Sequence, residues 1–335
     1  MTDEQRGTTV AAAERWFEQN GLPYFVAGNE RRVLAALRRT RLAPTISVAL
    51  LAGAAAGVGA GLLATDISTG VLVGAVLVAA IGLVYSLVSL HLQPIARWAV
   101  RRTFGSLGWL FPLITRALPL LLLFMTFLFI NTEVWQVSSA LDRGLLWLTV
   151  LLFAGVAVAF LLVRLPEEVR QVSDDASAET LVRICRGTPV EVVAAEVSGE
   201  AAAIELSPLQ RANLVLVLLF SQALQVLLLA FSVFVFFIVF GKIAISDSVI
   251  RAWLGDEYPG GTDIPSHLPS LDWLPVSNEL FQVSVFLAAF SGLYFTVYAV
   301  TDQNYRRQFF TSISEELERA IGVQTVYRAI TGRPR

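Results

Sequence analysis

The chain predicts an all-α fold: a polytopic membrane helix bundle of six transmembrane helices, with both termini and some small helical segments on the cytosolic side. Three observations carry that prediction. Thirty consecutive uncharged residues, Ala212 to Gly241, lie between Arg211 and Lys242, more than the roughly 20 apolar residues a spanning helix needs. Of the 335 residues, 55% are hydrophobic and 16% charged, too apolar for an ordinary soluble domain. On a six-span layout with both ends inside, 22 of the 25 Lys and Arg fall on the inner side, and only Arg143, Lys242 and Arg251 fall outside. That asymmetry sets the orientation and points to the plasma (inner) membrane.

Residues 1–43 read as a cytosolic N-terminal amphipathic region. They are charged and lack the apolar core of a signal peptide, so an uncleaved N-terminus is expected. Thr9 to Glu18 has helical composition, and Gly21 with Pro23 stops it. A second short helix is expected after Asn29, with Val33, Leu34 and Leu37 on one face and Arg31, Arg32, Arg38 and Arg39 around it. These arginines fix topology, and they can also rest on an anionic inner leaflet.

Residues 44–164 hold four spans. The first two, about Pro44–Thr65 and Val71–Leu92, form a hairpin with a loop of roughly five residues. Gly53, Gly57 and Gly61 recur every four residues, and Gly74 lies on the facing helix. The spacing puts small residues on one face, where two backbones can approach closely. This seam serves packing within the hairpin or, alternatively, a homo-oligomer interface. An interfacial helix follows over about Pro94–Thr115, then a third span from Arg116 to about Val137, with Arg116 reaching for the inner headgroups. Trp135 and Trp147 flank the Asp142–Arg143 turn as an aromatic belt. The fourth span is about Leu145–Val163.

Residues 165–207 form a cytosolic helical loop. A helix begun near Ser177 ends at Gly187, and Thr188-Pro189-Val190-Glu191 starts another. Ser207-Pro208-Leu209-Gln210 repeats that start signal and opens the fifth span at about residue 208. It runs for about 33 residues and 50 Å, so it must tilt or project beyond the bilayer. Residues 208–300 hold the fifth and sixth spans with an outer loop over 242–279, in which Asp247 caps a short helix ended by Gly255. The sixth span is about Leu280–Val300. The tail, 301–335, spaces Tyr305, Phe309, Ile313 and Leu317 by four, as a cytosolic amphipathic helix does.

In the fifth span Ser221, Gln225 and Ser232 share a helix face and Gln222 is offset by about 100°. Amides in hydrocarbon need partners. Hydrogen bonds to Gln282, Ser284 or Ser291 of the sixth span would supply them, and the functional alternative is a small polar path.

Catalytic and metal motifs are absent from the sequence. The only lysine, Lys242, is at the outer end of a helix, where no phosphate loop forms. Neither His91 nor His267 has a ligand at metal spacing, and there is no Gly-x-Ser-x-Gly elbow. The reading is therefore a non-enzyme with no cofactor. Cys185 is the sole cysteine, which excludes an intrachain disulfide, and no basic, aromatic-bearing soluble face argues for nucleic acid.

Ser221-Gln222-Ala223-Leu224-Gln225 with its Phe-rich continuation, Ser291-Gly292-Leu293-Tyr294, Thr301-Asp302 and Tyr305-Arg306 together resemble a group of uncharacterised actinobacterial multi-pass integral membrane proteins. Arg supplies 24 of the 25 basic residues, as in a GC-rich source. The resemblance implies a family and no activity. The expected role is a scaffold or accessory component of a membrane complex, with the bilayer and a membrane protein or second copy as partners. The alternative is a homo-oligomeric channel or uncoupled transporter lined by the fifth span.

Overall fold

The computed structural model describes residues 3–65, 67–105, 121–175, 181–197, 206–255, 276–301 and 303–332, and every regular element among them is helical. In chain order these are α1 (Asp3–Gln19), a 3-10 turn (Pro23–Phe25), α2 (Ala27–Ala36), α3 (Arg39–Ala64), α4 (Ile67–Ser89), α5 (Leu92–Gly105), α6 (Leu121–Phe129), α7 (Thr132–Ser139), α8 (Arg143–Asp175), α9 (Leu181–Ile184), α10 (Glu191–Val197), α11 (Pro208–Ala244), α12 (Asp247–Leu254), α13 (Asn278–Thr301) and α14 (Gln303–Thr331). Five of them, α3, α4, α8, α11 and α13, are long and apolar enough to cross a bilayer, and α6 with α7 makes a sixth if the pair counts as one span.

The third span departs from the sequence reading, which has it continuous to about Val137. Instead α6 and α7 meet at a 74° bend. Asn131 takes extended backbone and its side chain accepts from the Glu133 N–H at 2.8 Å, an N-cap that starts a new helix. Trp135 Nε1 donates to the Phe129 carbonyl at 2.6 Å and so satisfies a group that the end of α6 leaves open. Trp135 is fully buried against Phe129 and Trp253. It is a core residue rather than part of an aromatic belt, because the bend folds it inward, whereas Trp147 is 44% exposed. Arg116 and the second half of the expected interfacial helix lie outside the described residues.

Other boundaries move for local reasons. α1 begins at Asp3 and α2 at Ala27, each earlier than expected. The first hairpin turns in two residues, because Thr65 closes α3 in the left-handed region at φ 51° and α4 begins at Ile67. α8 passes through Pro166 and reaches Asp175. Its buried residues Leu161, Leu165 and Val169 continue one stripe at four-residue spacing past the expected end at Val163. Among the described residues α9 spans Leu181–Ile184, the expected start near Ser177 lying outside them, and Thr188 does not cap α10; its hydroxyl donates to the Cys185 carbonyl while Glu191 accepts from the Gly187 N–H. The N-cap of α12 is Ser246, with Asp247 in the first turn where its charge complements the helix dipole, and Gly255 ends the helix at φ 70°.

α13 is the hub of the apolar bundle. It packs on α11, α8 and α7, and α8 in turn meets α11 and α4. Over half (56%) of its spanning window is buried, against 11% for α3 and none for α4. The α3–α4 hairpin therefore stands at the edge, joined through α4 to α8, α5 and α2.

At one end of the bundle α1, α2, α5, α9, α10 and α14, with the 3-10 turn, form a compact module. α14 packs on α1, α8, α9 and α10, while the 3-10 turn packs on α1, α2 and α11. The tail is expected to be amphipathic, yet from Ile321 to Tyr327 every residue of α14 is buried. α1, α8, α9 and α10 pack around α14, so no face of this stretch is left for water. Its approach to α9 is close: a Cβ on Gly322 would lie 2.9 Å from Ile184 Cγ2 and 3.3 Å from Cys185 Sγ.

Candidate functional site at the junction of module and bundle

α11 belongs to both regions. At 37 residues it is about 55 Å long, against about 36 Å for the 24 residues of α13. Contacts between them set the register: Gly241 abuts Leu280, and Gly292 faces Val226 and Ala230. α13 thus ends about level with Leu219 of α11. The turns of α11 before that level insert into the module and bury Gln210, Asn213, Leu214, Val217 and Leu218. The long apolar run is a projecting helix, and its first third lines a protein core.

The inserted end is tied on several sides. Ser207 Oγ accepts from the Gln210 N–H at 3.3 Å and Gln210 Oε1 accepts from the Ser207 N–H at 3.0 Å, a reciprocal capping box at the predicted start. Ser207 Oγ also donates to Glu30 Oε1 at 2.9 Å, and Arg328 Nη2 donates to Gln210 Oε1 at 3.0 Å. One turn on, the fully buried Asn213 accepts from the Tyr24 N–H and donates to the Gly21 carbonyl, both at 2.9 Å. Tyr24 donates its hydroxyl to the Leu90 carbonyl at the end of α4, Tyr85 to the Ala36 carbonyl and Tyr327 to Glu14. Arg102 of α5 pairs with Glu316 of α14 and lies 5.7 Å from the Trp98 ring centre. Burial raises the Tyr24 hydroxyl to about 12. Burial, reinforced by Glu191, raises the Cys185 thiol to about 11, so the thiol is a packing group.

A cavity of about 100 Å³ lies at this junction. Its lining includes Trp16 of α1, Asn20 just after it, Trp98 of α5, Thr188, Val217 of α11, and Glu316 and Arg319 of α14.

The polar residues singled out in the fifth span do not share one environment along the helix. Ser221 and Gln222 are buried and Gln225 is half-buried, but Ser232 is exposed and donates to the Leu228 carbonyl of its own helix. The register places Ser284 near Phe236, about 16 Å along the axis from Gln225. A hydrogen bond between Gln225 and Ser284 is therefore out of reach. Gln282 donates to the Leu141 carbonyl at 3.3 Å and Ser291 to its own Leu287 carbonyl at 2.6 Å. Ser221 Oγ, Gln225 Oε1, Gln282 Oε1, Glu279 Oε2 and Ser284 Oγ are buried without a partner. They fall into two sets, one near the module and one at the far end, with Leu229, Val233 and Leu287 buried between them.

The glycine residues do meet. A Cβ on Gly57 would sit 2.7 Å from the Gly70 carbonyl oxygen, and one on Gly53 would sit 2.9 Å from that of Gly74. Gly61 backs onto Gly70, whose added Cβ would be 3.1 Å from its Cα. An apolar groove runs along the same hairpin.

Asn213 is the functional-site residue that sequence reasoning passed over. An Asn inside an apolar helical run is the signal, since a buried amide must find both a donor and an acceptor. Among the described residues, no group of three or more His, Cys, Asp and Glu is placed to hold a metal ion. Comparison with protein-family models, curated proteins and solved structures finds no match to this chain.

Proposed function

We propose that this protein is a multi-pass plasma-membrane protein, N- and C-terminal ends cytoplasmic, that serves as a scaffold or accessory component of a membrane complex. The observation that carries the reading is the joined architecture. Both terminal regions and the 181–197 helices fold around the projecting end of α11, which is continuous with the bundle. A partner docked on the module is thereby held at a set position relative to the membrane, and the α3–α4 hairpin offers a largely uncovered intramembrane face. The distribution of Lys and Arg supports the module facing the cytoplasm.

Affinity capture at native expression tests this: a stoichiometric membrane-protein partner is the expected result. For topology, single cysteines at Ser198 and Ser270 in a Cys185-free background are labelled on intact cells with an impermeant thiol reagent. Labelling at 270 and none at 198 is expected, and the reverse inverts the orientation.

The bent α6–α7 pair favours a second reading, a homo-oligomeric channel or uncoupled transporter, since interrupted helices line solute sites in transporters. The apolar layers between the two polar sets count against it. Solute flux in liposomes that is abolished by Gln225→Leu would replace the scaffold reading with this one.

A further inference from the structure

We propose that the outward face of α5 and the corner between α2 and α3 form a basic collar that binds the anionic phospholipids of the leaflet on the module side. From Arg31 to Thr132 the sequence holds nine arginines and a single acid, Asp66, which separates α3 from α4. On α5, Ile95, Trp98, Ala99 and Thr103 are buried, whereas Arg97, Val100, Arg101 and Phe104 are exposed. The helix thus has a packed side and, opposite it, a side of two cations and two apolar residues. Arg102, between the two sides, pairs with Glu316. At the other patch Arg32, Arg38, Arg39 and Arg41 are exposed beside the exposed Leu34 and Leu37. None of the six exposed arginines makes an ion pair among the described residues. Of the acids on α1 and α2, Glu14, Glu18 and Glu30 already accept from Tyr327, Asn29 and Ser207.

Depth selects the occupant. Gly53 packs at Gly74 and Val78, and Gly57 at Gly70 and Gly74. That register sets Arg39 and Arg41 about level with residues 88–90, where α4 ends. The Ala36 carbonyl accepts from Tyr85 of α4, and His91 at φ 52° turns the chain from α4 into α5, so both patches are fixed to the same end of that helix. Trp98 borders the cavity that Val217 also lines. α5 therefore meets α11 within about a turn of the level at which α13 ends. A headgroup layer is about 5–7 Å deep on each side of the hydrocarbon core, so the collar stands among lipid phosphates, where a soluble acidic partner would have to displace lipid. A helix face of this kind offers its cations to the phosphates and its apolar residues to the acyl boundary. The inference rests on the membrane reading, and on neither the scaffold role nor which side is cytoplasmic.

The test places the full-length protein in nanodiscs of equal phosphatidylcholine and phosphatidylglycerol, releases it into mild detergent and counts the retained lipids by native mass spectrometry. Phosphatidylglycerol should be retained over phosphatidylcholine. Arg97→Gln with Arg101→Gln and, separately, Arg38→Gln with Arg39→Gln should lower that preference roughly fivefold per charge removed, and raised salt should lower it too. All four side chains are exposed, so the variants should keep the parent's unfolding midpoint. Arg97→Lys with Arg101→Lys should keep the preference, because a leaflet reads charge rather than guanidinium shape. Lys242→Gln, at the opposite end of α11, should leave it unchanged. Equal retention of the two lipids, or an unchanged preference in both glutamine pairs, overturns the proposal. A loss in the lysine pair as large as in the glutamine pair also overturns it, in favour of a shaped phosphate pocket. Release of phosphatidylglycerol by an equimolar polyglutamate peptide would reassign the collar to an acidic protein partner. A chain that fails to enter nanodiscs would overturn the membrane reading itself, and the collar with it.

Discussion

The α3–α4 and α11–α13 pairs are both antiparallel, apolar and of spanning length, but they are held together by different atoms. In α3–α4 the contact is mainly backbone on backbone: a Cβ at Gly57, Gly70 or Gly74 would meet a facing carbonyl oxygen first, and one at Gly53 would meet Val78 Cγ2 and then the Gly74 carbonyl oxygen. In α11–α13 side chains fill the seam, with Gly241 against Leu280 and Gly292 against Val226. Backbone cannot shift without moving a whole helix, whereas a side chain can change rotamer. The hairpin is therefore held tightly together internally while most of its outer surface is bare, and α11–α13 is more adaptable inside while covered by its neighbours.

The largest expected effect comes from breaking the tighter pair. Gly57→Leu forces α3 from α4 and should destabilise by about 3 kcal/mol or more. Thermal unfolding of the purified protein measures this, and an unchanged midpoint would show that the backbone contact does not form. Asn213→Leu acts at the module end of α11 and strands the Tyr24 N–H and the Gly21 carbonyl, a loss of about 2–3 kcal/mol. Hydrogen exchange should rise around residues 21–26 and stay unchanged in α3 and α4; a rise spread evenly over both regions would contradict separate anchoring. Ser207→Ala removes one half of the capping box and should cost about 1 kcal/mol, visible as a small drop in unfolding midpoint. Gly292→Ala sharpens the comparison from the other side. Its new Cβ meets Val226 Cγ1 at 3.3 Å and Ala230 Cβ at 3.6 Å, both side-chain atoms, so a change within about 0.5 kcal/mol is expected. A loss as large as that of Gly57→Leu would erase the distinction.

A further effect is in pH. The Tyr24 hydroxyl is raised from 10.0 to about 12 by burial, so the folded state holds its proton where the unfolded state loses it. Its contribution is complete below pH 10 and fades as pH climbs toward 12. Replacing Tyr24 by Phe should flatten that part of the stability profile.

Local signals were the most legible. Ser207-Pro208-Leu209-Gln210 marks the start of α11 to the residue because a capping box is made within four residues. The four-residue glycine spacing identifies a face, since helical periodicity alone decides which side chains point together. Asn131-x-Glu133 carried an equally local signal, and the apolar run around it masked the new N-cap. The grouping of Ser221 with Ser284 went wrong for another reason. Spacing says which residues share a face of one helix, but it does not say which level of the neighbouring helix they meet.

The sequence by itself determined that this chain is helical, apolar enough for a membrane and punctuated at stated residues, because hydropathy, caps and periodicity are properties of a few adjacent residues. Only the tertiary structure decided that α11 projects into a module, that α14 is buried on all sides from Ile321 to Tyr327, and that the polar atoms fall into two separate sets. Each of those depends on contacts between residues far apart in the chain, from Gly241 with Leu280 to Tyr24 with Asn213 and Glu14 with Tyr327.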